Sequence, residues 1–224
     1  MMKFELHAHT KENDICVNMT ADEIVTAYKG AGYDGIVITN HFFDLSLEWY
    51  KDELAGCDHG GLIDYYLKSY KKAKATGDAI GMTVLLGLEL RFDGTINDYL
   101  VYGVEEDFLY RSPLLNTLNL DSFLKILPAG AIVYQAHPFR NDMTITDPTK
   151  LYGIEVYNGG TSHSRNEFAQ RWADQFKLKK ISGSDFHGAQ HLARGGVMFE
   201  NDVHNTKQLV AELKGERYSL IKTV

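Results

Sequence analysis

Apolar runs of strand length, rich in β-branched residues, recur at positions 3–6, 35–39, 82–88, 99–104, 131–135, 153–156, 180–182 and 196–199. Between several of them lie segments of helical length with recognisable start and stop signals. Thr20-Ala-Asp-Glu23 opens one, with Thr20 as cap and Glu23 reaching back as in a capping box, and this helix should run to about Gly30 to Gly32. Residues 62–75 place apolar or aromatic side chains at 62, 63, 66, 67, 70 and 73, the spacing of one helical face, and Gly77 is positioned to stop that helix. Residues 121–127 form a short helix ended by Pro128, and 165–176 and 206–214 complete the set.

Strands alternating with helices imply βα units and hence an α/β fold with a mostly parallel sheet, either doubly wound or closed as a barrel. No glycine-rich phosphate loop, internal repeat or linker-like run interrupts the 224 residues. At roughly 150 residues per domain the expectation is a single domain over 1–224. Lys and Arg number 23 against 30 Asp and Glu, a net charge of -7. That field repels nucleic-acid backbones and anionic membrane surfaces, so a nucleic-acid polymer or a membrane is not the expected partner. No window offers the ~18 uninterrupted apolar residues of a membrane span, and MMKFELHAHT lacks the apolar core of a secretory signal. Cys16 and Cys57 cannot make a disulfide framework; a cytoplasmic protein with free thiols is expected.

The chemistry gathers where strands end. The first run closes in His7-Ala-His9, the second in Thr39-Asn-His41, the third in Glu89, the fifth in His137-Pro138 and the seventh in Ser184-Asp185-Phe-His187. In a parallel βα barrel all these ends open on one face, so side chains scattered over the sequence would converge on one mouth. Residues i and i+2 of a strand share a face, so His7 with His9, and Asp185 with His187, can point together. Imidazole nitrogens and carboxylate oxygens suit Zn, Fe or Mn. Glu89 sits within Leu85-Leu-Gly-Leu-Glu-Leu90, where a carboxylate needs a partner because burying it unpaired costs on the order of several kcal/mol, and a cation is a good partner.

These motifs, His7-Ala-His9-Thr10, Thr39-Asn40-His41, the Glu89 strand, Ala136-His137-Pro138 and Gly183-Ser184-Asp185-Phe186-His187-Gly188, resemble the PHP family, named for polymerase and histidinol phosphatase. The resemblance runs from residue 4 to about residue 200. It implies a distorted seven-stranded β/α, TIM-like barrel with the metal site at the C-terminal ends of the strands, binding two or three divalent ions for phosphoester hydrolysis. Carried over position by position, it implies one ion held by His7, His9, Glu89 and Asp185, with Glu89 bridging to a second that also takes His137. A third would use His41, His187 and either Asp14 or Glu12. The family's Thr-Asp-His is Thr-Asn-His here, so Asn40 removes a charge expected beside His41. The histidine common after the Glu strand is missing, and Asp98 is the nearest replacement ligand.

Clustered dications lower the pKa of a water toward neutrality and neutralise phosphoryl oxygens, so Glu89 and Asp185 carry catalytic weight through the ions they hold. Arg140, in His-Pro-Phe-Arg, has the planar fork that suits a phosphate, with Arg194 and Arg165 as weaker candidates. His163 and His191 flank the last motifs as candidate proton donors, Asn158 follows another strand end, and His59 and His204 receive no role. The leading function is a stand-alone metal-dependent phosphoesterase acting on a small-molecule phosphomonoester. The alternatives are metal-assisted hydrolysis of the amidohydrolase kind and a non-catalytic metal-binding module. The 47 residues between Glu89 and His137 leave no room for a large cap.

Overall fold

The computed structural model of the protein describes residues 1–223. In chain order its elements are β1 (Met2–Ala8), α1 (Ala21–Gly30), β2 (Gly35–Ile38), β3 (His41–Phe42), α2 (Asp44–Trp49), α3 (His59–Ile80), β4 (Thr83–Leu86), β5 (Leu88–Arg91) and β6 (Asp98–Tyr102). They continue with α4 (Glu106–Arg111), α5 (Leu120–Ile126), β7 (Ile132–Gln135), β8 (Gly153–Asn158), α6 (His163–Phe176), β9 (Lys179–Gly183), β10 (Gly195–Phe199), α7 (Thr206–Gly215) and β11 (Tyr218–Lys222).

The strands form two sheets, ordered β11-β10-β1-β2-β4 and β3-β5-β6-β7-β8-β9. This is a mixed α/β fold, and among the described residues no closed barrel is present, which corrects the expected (β/α)7 barrel. Two features explain the opening. First, β10 lies antiparallel against β1 and takes hydrogen bonds that a parallel neighbour would have used, leaving a single bridge, Ala8 to Phe186, between β1 and the segment after β9. Second, the run expected at 82–88 breaks at Gly87, whose N–H donates to the carbonyl of Ile38. A Cβ there would stand 2.8 Å from Val37 Cγ1 and 2.9 Å from Thr39 Cγ2, so only glycine lets the chain pass from β4 to β5. The β5-β6-β7 meander is also antiparallel.

Alternation along the parallel strands sorts the core. Ile36, Ile38, Val84 and Leu86 pack with Ile24, Tyr28 and Leu67 of α1 and α3, whereas Val37 and Leu85 join Leu100, Tyr102, Ile132, Tyr134 and Ile181 on the inner side. At α1 the capping box forms as expected, the Thr20 N–H donating to Glu23 at 2.8 Å. Helix α3 outruns its expected limits: Asp58 caps it by accepting from Gly61 N, and Gly81, at φ 68°, ends it. Gly77 is instead a contact residue inside α3, since a Cβ there would meet Val84 Cγ2 at 2.5 Å. No helix among the described residues is long and apolar enough to cross a membrane.

Candidate metal centre

β1 delivers its histidines through a bulge. Phe4 and Leu6 belong to the inner core while Ala8 belongs to the helix-facing one, so the alternation reverses between Leu6 and His7. The pairing with β2 slips over the same stretch. The N–H groups of Leu6 and His7 both donate to one oxygen of Glu5, each at 2.9 Å, and Ser184 N and Tyr28 OH, at 2.8 Å each, complete the coordination of that carboxylate. Glu5 thus fills the bulge, re-aims His7 and His9 into the mouth, and ties β1 to the loop carrying Asp185. Burial pushes its carboxyl above the usual range despite these hydrogen bonds.

At the mouth Glu89 divides its oxygens. Oε1 lies 3.0 Å from His137 Nε2 and 3.3 Å from His7 Nε2; Oε2 lies 2.9 Å from His41 Nε2 and 3.2 Å from His9 Nε2. Asp185 Oδ1 is 3.3 Å from both His9 Nε2 and His187 Nδ1 and 3.5 Å from His7 Nε2, while Oδ2 takes hydrogen bonds from Arg140 and Asn158. Asp14 Oδ2 stands 2.8 Å from His41 Nδ1 and 3.4 Å from His187 Nε2. His137 (φ 25°) and Asp185 (φ 52°) both hold left-handed backbone, strain of the kind found where function over-determines the chain.

Four groups gather three or more ligand atoms within 4.8 Å of one another: His9, Asp14, His41 and His187; His7, His9 and Glu89; His7, His137 and Asp185; and Glu89, Asp98 and His137. His7, His9, Glu89 and His137 each belong to two groups, so the groups mark neighbouring positions of one centre. The donor set fits cations. His7 Nε2, both ring nitrogens of His9, His41 Nδ1, Asp14 Oδ2, Glu89 Oε2 and Asp185 Oδ1 are buried with no hydrogen-bond partner, although several stand within 3.5 Å of one another. These atoms converge at ion-pair distance without hydrogen-bond geometry, an arrangement costly unless protons or cations balance it.

The electrostatics agree. Burial pushes the Glu89 carboxyl up, but the charges of His7 and His41 and the hydrogen bond with His137 hold it well below the carboxylate range. Asp185 and Asp14 are lowered in the same way, against burial, by the surrounding histidines and, for Asp185, Arg140. His7 is raised well above its ordinary value by Glu155, Glu89 and Asp185 in spite of burial. His41, also against burial, is raised to about 10 by Glu89 and Asp14. His9 is lowered, by burial and by the charges on His41 and His187. Three carboxylates, those of Glu89, Asp185 and Asp14, therefore demand positive charge in a buried space.

The remaining candidates separate cleanly. Asp14 joins the cluster, whereas Glu12 turns away, accepting from Ala21 N at 3.0 Å and pairing with Lys72 at 3.1 Å. Asp98 lies near His137 and Glu89, but both its oxygens accept from Arg91 at 2.7 Å. His41 receives its carboxylate from Asp14, so the charge expected at residue 40 is supplied elsewhere. Asn40 instead accepts from Thr10 N (2.8 Å) and Thr10 Oγ1 (3.0 Å) and donates to Ser69 Oγ (2.8 Å) and Asn13 Oδ1 (3.3 Å). His191 sits beside the centre, its Nδ1 accepting from His187 N at 3.2 Å, while His163 is a surface residue beside Glu167. Arg194 donates to the Gly159 carbonyl and Arg165 to Asn141. His59 meets the Leu109 carbonyl and His204 meets Thr83, both away from the centre. Sequence reasoning passed over Glu5 and Glu155, although each is a lone carboxylate in an apolar strand, the signal that singled out Glu89.

Residues 163–218, which include Asp185 and His187, match a family model described as PHP-associated. No curated protein sequence matches the chain. Among solved structures the fold is similar to a two-domain protein from Bacteroides vulgatus containing a predicted PHP-like metal-dependent phosphoesterase, at 17% identity and TM-score 0.70. That match covers 99% of this chain, which spans 64% of the other protein's length. PsfC from Pseudomonas syringae matches at 15% identity and TM-score 0.69, covering 100% of this chain and 92% of that one. An amidohydrolase from Chromobacterium violaceum, with bound sulfate and no metal, matches at 16% identity and TM-score 0.53, covering 83% and 88%. The likeness to these structures is one of fold, and with the PHP-associated segment it bears out the resemblance carried by the strand-end motifs.

Proposed function

We propose that the protein, with residues 1–224 as one unit, is a cytoplasmic metal-dependent phosphoesterase hydrolysing a small-molecule phosphomonoester. The observation that carries this reading is the division of Glu89 between two pairs of imidazoles, a carboxylate set between neighbouring cation positions. Two or three ions of Zn, Mn or Fe are proposed. His7, His9, Glu89 and Asp185 would hold one, Glu89 and His137 a second, and His41, His187 and Asp14 a third. When bound, such ions lower the pKa of a water and neutralise phosphoryl oxygens. The chain's own part is to bind and orient. Glu89 and Asp185 stay ionised, held so by their surroundings, and fix the spacing of the positions. Arg140 donates through Nη2 to Asp185 and Asn158, which brings a guanidinium charge to the mouth where a phosphoryl group would be held.

The test is hydrolysis of an activated phosphomonoester with added Mn or Zn, abolished by chelation and competitively inhibited by inorganic phosphate. Arg140→Ala should raise KM for the ester. The amidohydrolase name of one structural neighbour supports a second reading, attack on a carbonyl by the same centre. Turnover of amide or lactone substrates, with phosphate neither binding nor inhibiting, would replace the first reading by the second.

A further inference from the structure

Glu155, on β8, is fully buried and receives three hydrogen bonds from groups of the mouth. Oε1 accepts from His7 Nδ1 at 2.9 Å, and Oε2 accepts from His137 N at 2.9 Å and from Asn158 Nδ2 at 2.8 Å. Asn158 in turn donates to Asp185 Oδ2 at 3.2 Å. One carboxylate therefore touches the ring of one candidate ligand, the backbone of a second and the hydrogen-bond partner of a third. A carboxylate faced by three N–H groups accepts from each, so in the neutral form that binds a metal His7 carries its one proton on Nδ1, and Nε2, the atom facing Glu89 and Asp185, is left with its lone pair. Room for this contact exists because residue 183 is glycine: a Cβ there would lie 2.8 Å from Glu155 Oε1 and 2.4 Å from His7 Cβ.

We infer that Glu155 is the positioning residue of the centre, locking His7 in the Nδ1–H tautomer so that Nε2 serves as a ligand, and registering His137 and Asn158 to the same point. The inference rests on the metal half of the proposed function. Its chemistry makes an unusual demand of Glu155→Gln. Three donors converge on two oxygens, and glutamine offers one oxygen and one NH2. The only arrangement that keeps every hydrogen bond turns the oxygen to His137 and Asn158 and the NH2 to His7. His7 Nδ1 must then accept, the proton moves to Nε2, and a ligand is lost while the fold keeps its contacts.

Zinc titration by calorimetry of E155Q and wild type, with imidazole 15N spectra of the zinc-loaded proteins, tests this. Wild type should show His7 protonated at Nδ1 with zinc on Nε2. E155Q should bind zinc about 10- to 100-fold more weakly in the groups containing His7. The His9, Asp14, His41 and His187 group, which lacks His7, should keep wild-type affinity. Glu155→Asp, shorter but still only an acceptor, should retain the Nδ1–H tautomer. Undiminished zinc binding by E155Q overturns the inference, and so does uniform weakening of every group together with a lower Tm, which would mark a merely structural residue. Should E155Q not fold, zinc on Nδ1 of His7 in the wild-type spectrum overturns it without any variant. Wild type that binds zinc as described but cleaves no phosphate ester leaves this assignment standing and removes the enzymatic one.

Discussion

Glu89 offers one oxygen to His7 and His137 and the other to His9 and His41, so replacing either oxygen disturbs two neighbouring positions at once. Glu89→Gln should cost several orders of magnitude in rate and lower the bound metal per chain, whereas a strand residue of purely structural value would lose stability and keep its metal. Metal analysis alongside kinetics distinguishes the two. Asn40 makes a complementary case. Its amide uses both ends, accepting from Thr10 and donating to Ser69 and Asn13. Asn40→Asp would restore the family's residue type but bring a carboxylate oxygen against Asn13 Oδ1, which already takes the Ser69 hydrogen. The variant should be less stable by about 1–3 kcal/mol in denaturant unfolding, with no gain in metal affinity. A more stable N40D would show that residue 40 answers to His41 after all.

At the scale of elements, the strand-end motifs were legible because histidine and aspartate at alternate positions have few structural uses, and each stands where a strand stops. Strand direction was not legible. Periodicity is the same for a parallel and an antiparallel neighbour, so nothing in Gly195–Phe199 announced that β10 would run against β1 and hold the sheets open. The bulge in β1 was hidden too, since a strict alternation from Phe4 would have turned His7 outward. Gly77 looked like a helix stop because its tertiary role, admitting Val84, lies in another element. Close approach of β9 to β1 yields a prediction: Gly183→Ala should destabilise the protein by about 1–3 kcal/mol through overpacking, and should weaken zinc binding by displacing His7 and Glu155. Retained zinc affinity alongside reduced stability would separate packing from the centre.

For the molecule as a whole, the centre is a concentration of negative charge that protons or cations must balance. In metal-free protein His41 is raised from 6.5 to about 10, so its stabilising contribution is complete below pH 6.5 and is lost as pH rises toward about 10. Ions must displace that proton, so zinc affinity should climb over the same interval. Melting of chelator-treated protein should accordingly fall between pH 6.5 and 10, less steeply in His41→Gln; parallel slopes for the two would contradict the assignment. The Glu5 clip has a further consequence, in time rather than space. Glu5 and the Ser184 N–H it accepts are 179 residues apart in the chain. During synthesis the early histidines wait, with their bulge unsupported, until the segment bearing Asp185 and His187 has emerged and closed on β1. Closure over such a separation is among the slow steps of folding, so the full centre forms late, and a chain halted before Asp185 lacks one of the two carboxylates that face His7 and His9. Only the positions that use Asp185 or His187 report that the chain has been made, and folded, through its last strand-end motif.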